Sequence, residues 1–166
     1  IAQSRPDVAF VFFGDGPMLE PLRRLVEQRG LAQRIHLHGH THNAWESLAI
    51  MDLFLLTSRI EGLPNVLIEA QAMGVPVVTT LVGGAGEAFV DGVTGWAIRE
   101  FNADVIARVC LQALGDNSMR MQASVAARDF ALSRFGRERM IAKTLAVYRR
   151  AMALTDRPAM VRQGEA

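Results

Sequence analysis

The sequence has a single cysteine, Cys110, a single lysine, Lys143, and a single tyrosine, Tyr148. One cysteine excludes an internal disulfide framework and suits a reducing compartment, so a cytoplasmic location is expected. Cys110 falls in an apolar helical stretch, where a small buried hydrophobe is the default reading rather than a reactive thiol. No apolar run approaches the eighteen or so residues that a membrane-spanning helix needs. No cationic segment followed by an apolar one opens the chain, so the usual sign of a secretory leader is missing. Charge is nearly balanced: 18 Lys and Arg against 17 Asp and Glu leave +1. That excludes the basic footprint of a nucleic-acid binder. What is present is 166 residues, 50% of them hydrophobic, enough for one domain with a core and too short for two.

The apolar residues are grouped in short unbroken runs. Val8-Ala9-Phe10-Val11-Phe12-Phe13 closes at Gly14-Asp15-Gly16-Pro17. A run apolar on both faces and stopped by turn residues predicts a buried parallel strand. Residues 34–39, 53–57, 75–80 and 95–98 predict four more. Between the first two, residues 18–29 carry Leu19, Leu22 and Val26 at helical spacing and stop at Gly30. Asn43 is placed to cap a helix whose inward face is Trp45, Leu48 and Ala49. Residues 65–73 predict a helix ending at Gly74, and residues 83–90 a loop running into a short helix. From Ala103 the pattern is helical to about Thr155, with breaks near Gly115-Asp116-Asn117 and Phe135-Gly136. This alternation predicts an α/β fold, a doubly wound, Rossmann-like parallel sheet with helices on both faces. The expected domain is 1–155, truncated on its N-terminal side, since residues 1–7 read like the tail of an element. Residues 156–166 are polar, with a Pro and a Gly, and are expected to form a flexible tail.

Ligands of such sheets bind beyond the carboxyl ends of the strands, in the loops that open the next helices. The most informative of these loops runs from Ser58 through Glu61-Gly62-Leu63-Pro64-Asn65-Val66 to Glu69. Gly62 leaves room for a ligand to approach the backbone, and Pro64 suits the first turn of the following helix. The free N–H groups of that helix favour a phosphate. Glu69 follows Glu61 at a spacing of roughly 12 Å if the segment is helical, which is comparable to the span between the two polyol ends of a nucleotide-sugar. Carboxylates accept hydrogen bonds from vicinal hydroxyls, so one could hold a sugar and the other a ribose. Arg59 could partly neutralise a phosphate, although a surface role is its default. A second candidate is Gly83-Gly84-Ala85-Gly86-Glu87, whose glycines would let backbone amides wrap an anion, with Glu87 in a first helical turn.

Two other patterns are weaker. Gly14-Asp15-Gly16-Pro17-Met18-Leu19 imitates a dinucleotide fingerprint, but its third glycine would fall at Leu19, so the NAD(P) reading is rejected. All four histidines stand at positions 36, 38, 40 and 42. Gly39 interrupts that strand and no cysteine or carboxylate cluster lies near in sequence, so no metal site is expected. Packing at the strand end is the better account of His36 and His38.

Taken in order, these pieces resemble the C-terminal half of the large group of retaining glycosyltransferases with the GT-B fold (the group 1, or family 4, type). The resemblance runs from Val8 to about Tyr148. Its most specific part is the Glu-x7-Glu motif, Glu61 to Glu69, followed by Ala70-Gln71-Ala72-Met73-Gly74-Val75-Pro76. Gly83-Gly84 with Glu87, and then Asp91-Gly92-Val93-Thr94-Gly95-Trp96, continue it.

The resemblance implies a nucleotide-sugar donor (UDP-, GDP- or ADP-linked) and transfer of its sugar, with retained configuration, to a glycan or lipid acceptor. Glu61 would contact hydroxyls of the donor sugar near the reacting centre. The backbone of Gly62, Leu63, Pro64, Asn65 and Val66 would meet the sugar and diphosphate, and Glu69 would hold the ribose. Gly39-His40-Thr41 corresponds to the loop against which the base stacks, and Gly83 and Gly84 would lie close to the donor. No obligatory metal or other cofactor is implied. An N-terminal acceptor-binding domain is implied as a partner, together with a further strand and helix whose Arg and Lys grip the diphosphate. Without them this chain is expected to be inactive. Assembly of bacterial polysaccharide or lipid-linked glycan, with peripheral attachment at the inner face of the membrane, is the expected setting. A non-catalytic nucleotide-binding module and a nucleotide-sugar epimerase-like domain stay open as alternatives.

Overall fold

The computed structural model describes residues 1–41 and 43–155. The expected tail, 156–166, and His42 lie outside the described residues. The strands are β1 Phe10–Phe13, β2 Ile35–Gly39, β3 Phe54–Leu56, β4 Val77–Thr80 and β5 Gly95–Ile98. The helices are α1 Leu19–Gln28, α2 Ala44–Leu48, α3 Asn65–Ala72, α4 Ala103–Gly115, α5 Asn117–Phe135 and α6 Arg137–Thr155. Each falls where an apolar run or helical spacing placed it. The loop after β4 makes only one turn of 3₁₀-helix, Ala85–Glu87, too short to build the dipole expected beneath Glu87.

All strand pairs are parallel, but the described strands form two sheets. β1 pairs with β2, from Phe10 opposite Ile35 to Phe13 opposite Gly39. β3, β4 and β5 form a separate ladder in that order. No ladder joins β1 to β3, so the single doubly wound sheet expected from the sequence is interrupted there. The consequence is visible in β1, which is apolar on both faces yet leaves Val11 and Phe12 41% and 46% exposed.

The three-stranded sheet is the better buried part. β4 is covered along its whole length, and its alternation sends Val77 and Val78 to opposite faces. Val77 joins Leu48, Leu67, Ala70, Val75, Ala85, Ala88 and Phe89 on one side. Val78 joins Trp96, Ile98, Cys110, Ala113 and Ala123 on the other. Burial pushes the Cys110 thiol up to about 11, in keeping with an inert core residue. α5 buries Ala123, Ala127 and Ala131, a small-residue stripe at i, i+4 spacing, and lies against α3.

Residues 1–8 fasten the two parts together. Ile1 packs on the second cluster. The Arg5 guanidinium donates to the Leu114 carbonyl at 3.0 Å and chelates Asp7, holding that carboxyl at about 2. Arg34, immediately before β2, donates to the carbonyls of Ala2, Arg5 and Val8. One fork-shaped side chain thereby anchors a segment that has no secondary structure of its own. Nothing in the sequence pattern singled out Arg34.

Candidate donor site

The candidate residues sit in loops at the carboxyl ends of the strands. After β3 comes the segment 57–64. Glu61 is half-buried, Gly62, Leu63 and Asn65 are exposed, and Pro64 is buried. Pro64 occupies the N-cap of α3 rather than its first helical position, with φ −72° and ψ 103°, and no side chain caps the helix. No side chain meets the first-turn N–H groups of α3, of which that of Leu67 donates to the Pro64 carbonyl at 3.1 Å, whereas Asn102 and Asp116 cap α4 and α5 through their side chains. Glu69 is exposed on α3. Because only Asn65–Ala72 is helical, Glu61 and Glu69 are not separated by one continuous helical rise.

The glycines after β4 have a role that spacing alone did not reveal. Gly83 adopts φ +53°, and a Cβ built there would stand 1.8 Å from the Glu61 carbonyl oxygen. A Cβ on Gly84 would stand 2.7 Å from the Gly62 carbonyl oxygen, which already accepts the Gly84 N–H at 2.7 Å. Both positions exclude any side chain because two backbone segments touch. The Gly84 amide is consequently engaged inside the protein. Further down, the Thr80 hydroxyl donates to the Ser58 carbonyl at 2.7 Å. The β3–α3 and β4–3₁₀ segments thus form one braced unit, while Gly62 has open space where its side chain would be.

The third loop follows β2. Gly39 has φ +78° and accepts the Gly14 N–H at 2.7 Å, which joins the ends of β1 and β2. Thr41 accepts the Asn43 N–H through its hydroxyl at 3.2 Å. Asn43 itself makes no side-chain cap at α2, contrary to expectation: at φ −118° and ψ 58° it lacks the geometry that aims a side chain back at the helix. His36 and His38 are exposed instead of packed within the strand end, although the His38 ring lies 5.2 Å from that of Phe13. Among the described residues no three His, Cys, Asp or Glu are gathered as a metal site. Arg59 places its guanidinium over the Phe101 ring at 4.7 Å, a cation–π contact for the arginine of this loop.

Parallel strands, flanking helices and loops gathered at the carboxyl strand ends define a Rossmann-like α/β domain of the kind found in GT-B enzymes. Residues 1–130 match the family model described as Glycosyl transferases group 1. The chain belongs to that family. It is 40% identical over 108 residues to the Vi polysaccharide biosynthesis protein VipC/TviE of Salmonella typhi, covering 65% of this chain and 19% of that protein. It is 31% identical over 142 residues to the N-acetyl-alpha-D-glucosaminyl L-malate synthase of Bacillus anthracis, covering 86% of this chain and 37% of that one. Among solved structures, HepE of Anabaena in complex with UDP superposes with a TM-score of 0.77 and 26% identity, over 88% of this chain and 43% of HepE. The chain thus spans less than half the length of these relatives. Among the described residues no helix is long and apolar enough to cross a membrane.

Proposed function

We propose that this chain is the donor-binding lobe of a glycosyltransferase that moves a sugar from a nucleoside diphosphate to a glycan or lipid acceptor, with retention of configuration. The observation that carries the reading is the braced pair of loops. It presents half-buried Glu61, the open backbone at Gly62 and the N-terminus of α3, which no side chain caps, from one braced unit. Glu61 is assigned to the sugar hydroxyls and Glu69 to the ribose. The backbone from Gly62 to Val66, with Gly83 and Gly84 beside it, is assigned to the sugar and diphosphate. Gly39, His40 and Thr41 are assigned to the base. The diphosphate charge is met by helix amides and cationic side chains, without an obligatory metal. Retention is supported by the family resemblance of the Glu61 to Glu69 motif, and a nucleotide-linked donor, its base left open, by the UDP complex of HepE and the GDP-mannose in the name of a mycobacterial relative. The acceptor is supplied across a cleft by a partner domain, so this lobe alone binds donor weakly and does not turn over. A lipid-linked acceptor in the longer protein is supported by the name of one relative, a phosphatidylinositol monomannoside mannosyltransferase of Mycolicibacterium smegmatis.

The test is titration with UDP, GDP and ADP and their sugars, paired with variants of the longer polypeptide. Glu61→Ala is expected to lower turnover by about a hundred-fold or more with the fold intact. Unchanged turnover would remove Glu61 from the reaction. Glu69→Ala is expected to weaken the nucleoside diphosphate itself, by about ten-fold, as loss of a charged hydrogen-bond acceptor does; equal affinity in the variant would contradict the ribose role.

A further inference from the structure

α3 and the turn after β4 are both apolar where they meet, with one exception. Gln71 is completely buried between them, among Leu67, Ala70, Ala85, Ala88 and Phe89. A buried helix position of this kind is ordinarily filled by Leu or Met, because an amide must find partners or lose its hydration. Gln71 finds them on one side only. Its Nε2 donates to the Leu67 carbonyl at 2.8 Å and across the interface to the Ala88 carbonyl at 2.6 Å. Its Oε1 has no partner among the described residues. The two acceptors are both carbonyls, so the amide cannot be turned around, and the cost of the idle oxygen accompanies the bridge.

The bridge is the last of three cross-links between the same two segments. Ser58–Thr80 lies at the strand ends, Gly62–Gly84 at the loops, and Gln71–Ala88 at the back of α3. The first two fix the Glu61 end of the unit. At the C-terminal end of α3 the Ser124 hydroxyl donates to the Gly74 carbonyl and ties the helix to α5, while Gln71–Ala88 is the side-chain link between the half of α3 that carries Glu69 and the turn after β4. We propose that Gln71 is a positioning residue for donor binding: its bridge to Ala88 sets the rotation of α3, and with it the placement of Glu69 relative to the Gly83–Gly84 backbone.

This rests on the donor-lobe reading, and the experiment separates the two. Gln71→Met keeps the volume and removes both donors. In the longer polypeptide it is expected to raise the donor KM about five- to ten-fold, with kcat within about two-fold and the melting temperature nearly unchanged. A fall in kcat at constant donor KM, or no change in either, would overturn the proposal. Glu61→Ala is assayed in parallel. Full turnover there refutes the donor-lobe reading itself, whereas loss there beside an unaffected Gln71→Met refutes the bridge alone. Should Gln71→Met fail to fold, the wild-type protein decides. Side-chain amide protons of Gln71 that exchange slowly and shift on adding nucleotide-sugar support the bridge, and fast exchange of those protons excludes it.

Discussion

At Glu61 two atoms of one residue do different things. The carbonyl oxygen is crowded by Gly83, while the carboxylate is assigned to the sugar. A side chain at position 83 must therefore move the functional residue, since the contact is backbone to backbone and neither partner can swing aside. Gly83→Ala combines that clash with a φ of +53°, which a residue with a Cβ adopts at a cost of about 1–3 kcal/mol. Because the clash adds to that strain, the variant is expected to lose more stability than this, and to lose more turnover than the stability loss explains, as read by chemical denaturation and initial rates. Equal transfer in the variant would mean that the loop tolerates displacement. The sequence displayed both partners of this contact, Glu61 and the glycine run, but not that they touch. A glycine forced by a neighbouring carbonyl and a glycine that leaves room for an anion look alike in one dimension.

Elements were more legible than their ends. The apolar runs and their Gly or Pro stops placed all five strands and six helices, because burial on two faces leaves an unmistakable pattern. Caps were less so, since the same residue type serves or does not according to its backbone angles. Asn102, at φ −133° and ψ 134°, accepts from the N–H groups of Asp104 and Val105, while Asn43, with a different ψ, accepts from neither of its helix's first amides. Asn102→Ala is expected to cost about 1 kcal/mol and Asn43→Ala close to nothing, measured as shifts in the denaturation midpoint. Equal costs would contradict the difference in capping. Gln71 was equally hidden: its polarity reads as surface, and only the packing of α3 against the turn at Ala88 reveals it as interior.

The interruption of the sheet belongs to the whole molecule. β1 and β3 each present an unpaired parallel edge, and the apolar side chains beside those edges are among the exposed ones, Val11, Phe12 and Leu55. One parallel strand seated between them would give the order β2-β1-x-β3-β4-β5, the doubly wound order in which x comes first in the chain. It is the place such a strand would take in a longer polypeptide. In a polypeptide extended upstream of Ile1, the amides of β1 and β3 are expected to exchange with solvent markedly more slowly than in this chain alone. Identical exchange in the two would leave the edges open. The same division has a bearing on how donor preference can be inherited. The loops assigned to the sugar are tied to one another inside residues 58–88, and the loop assigned to the base stands on the other pair of strands. Residues 58–88 thus form a self-braced cassette. A chimera that receives them from a relative would acquire that relative's choice of sugar while keeping its host's choice of nucleobase.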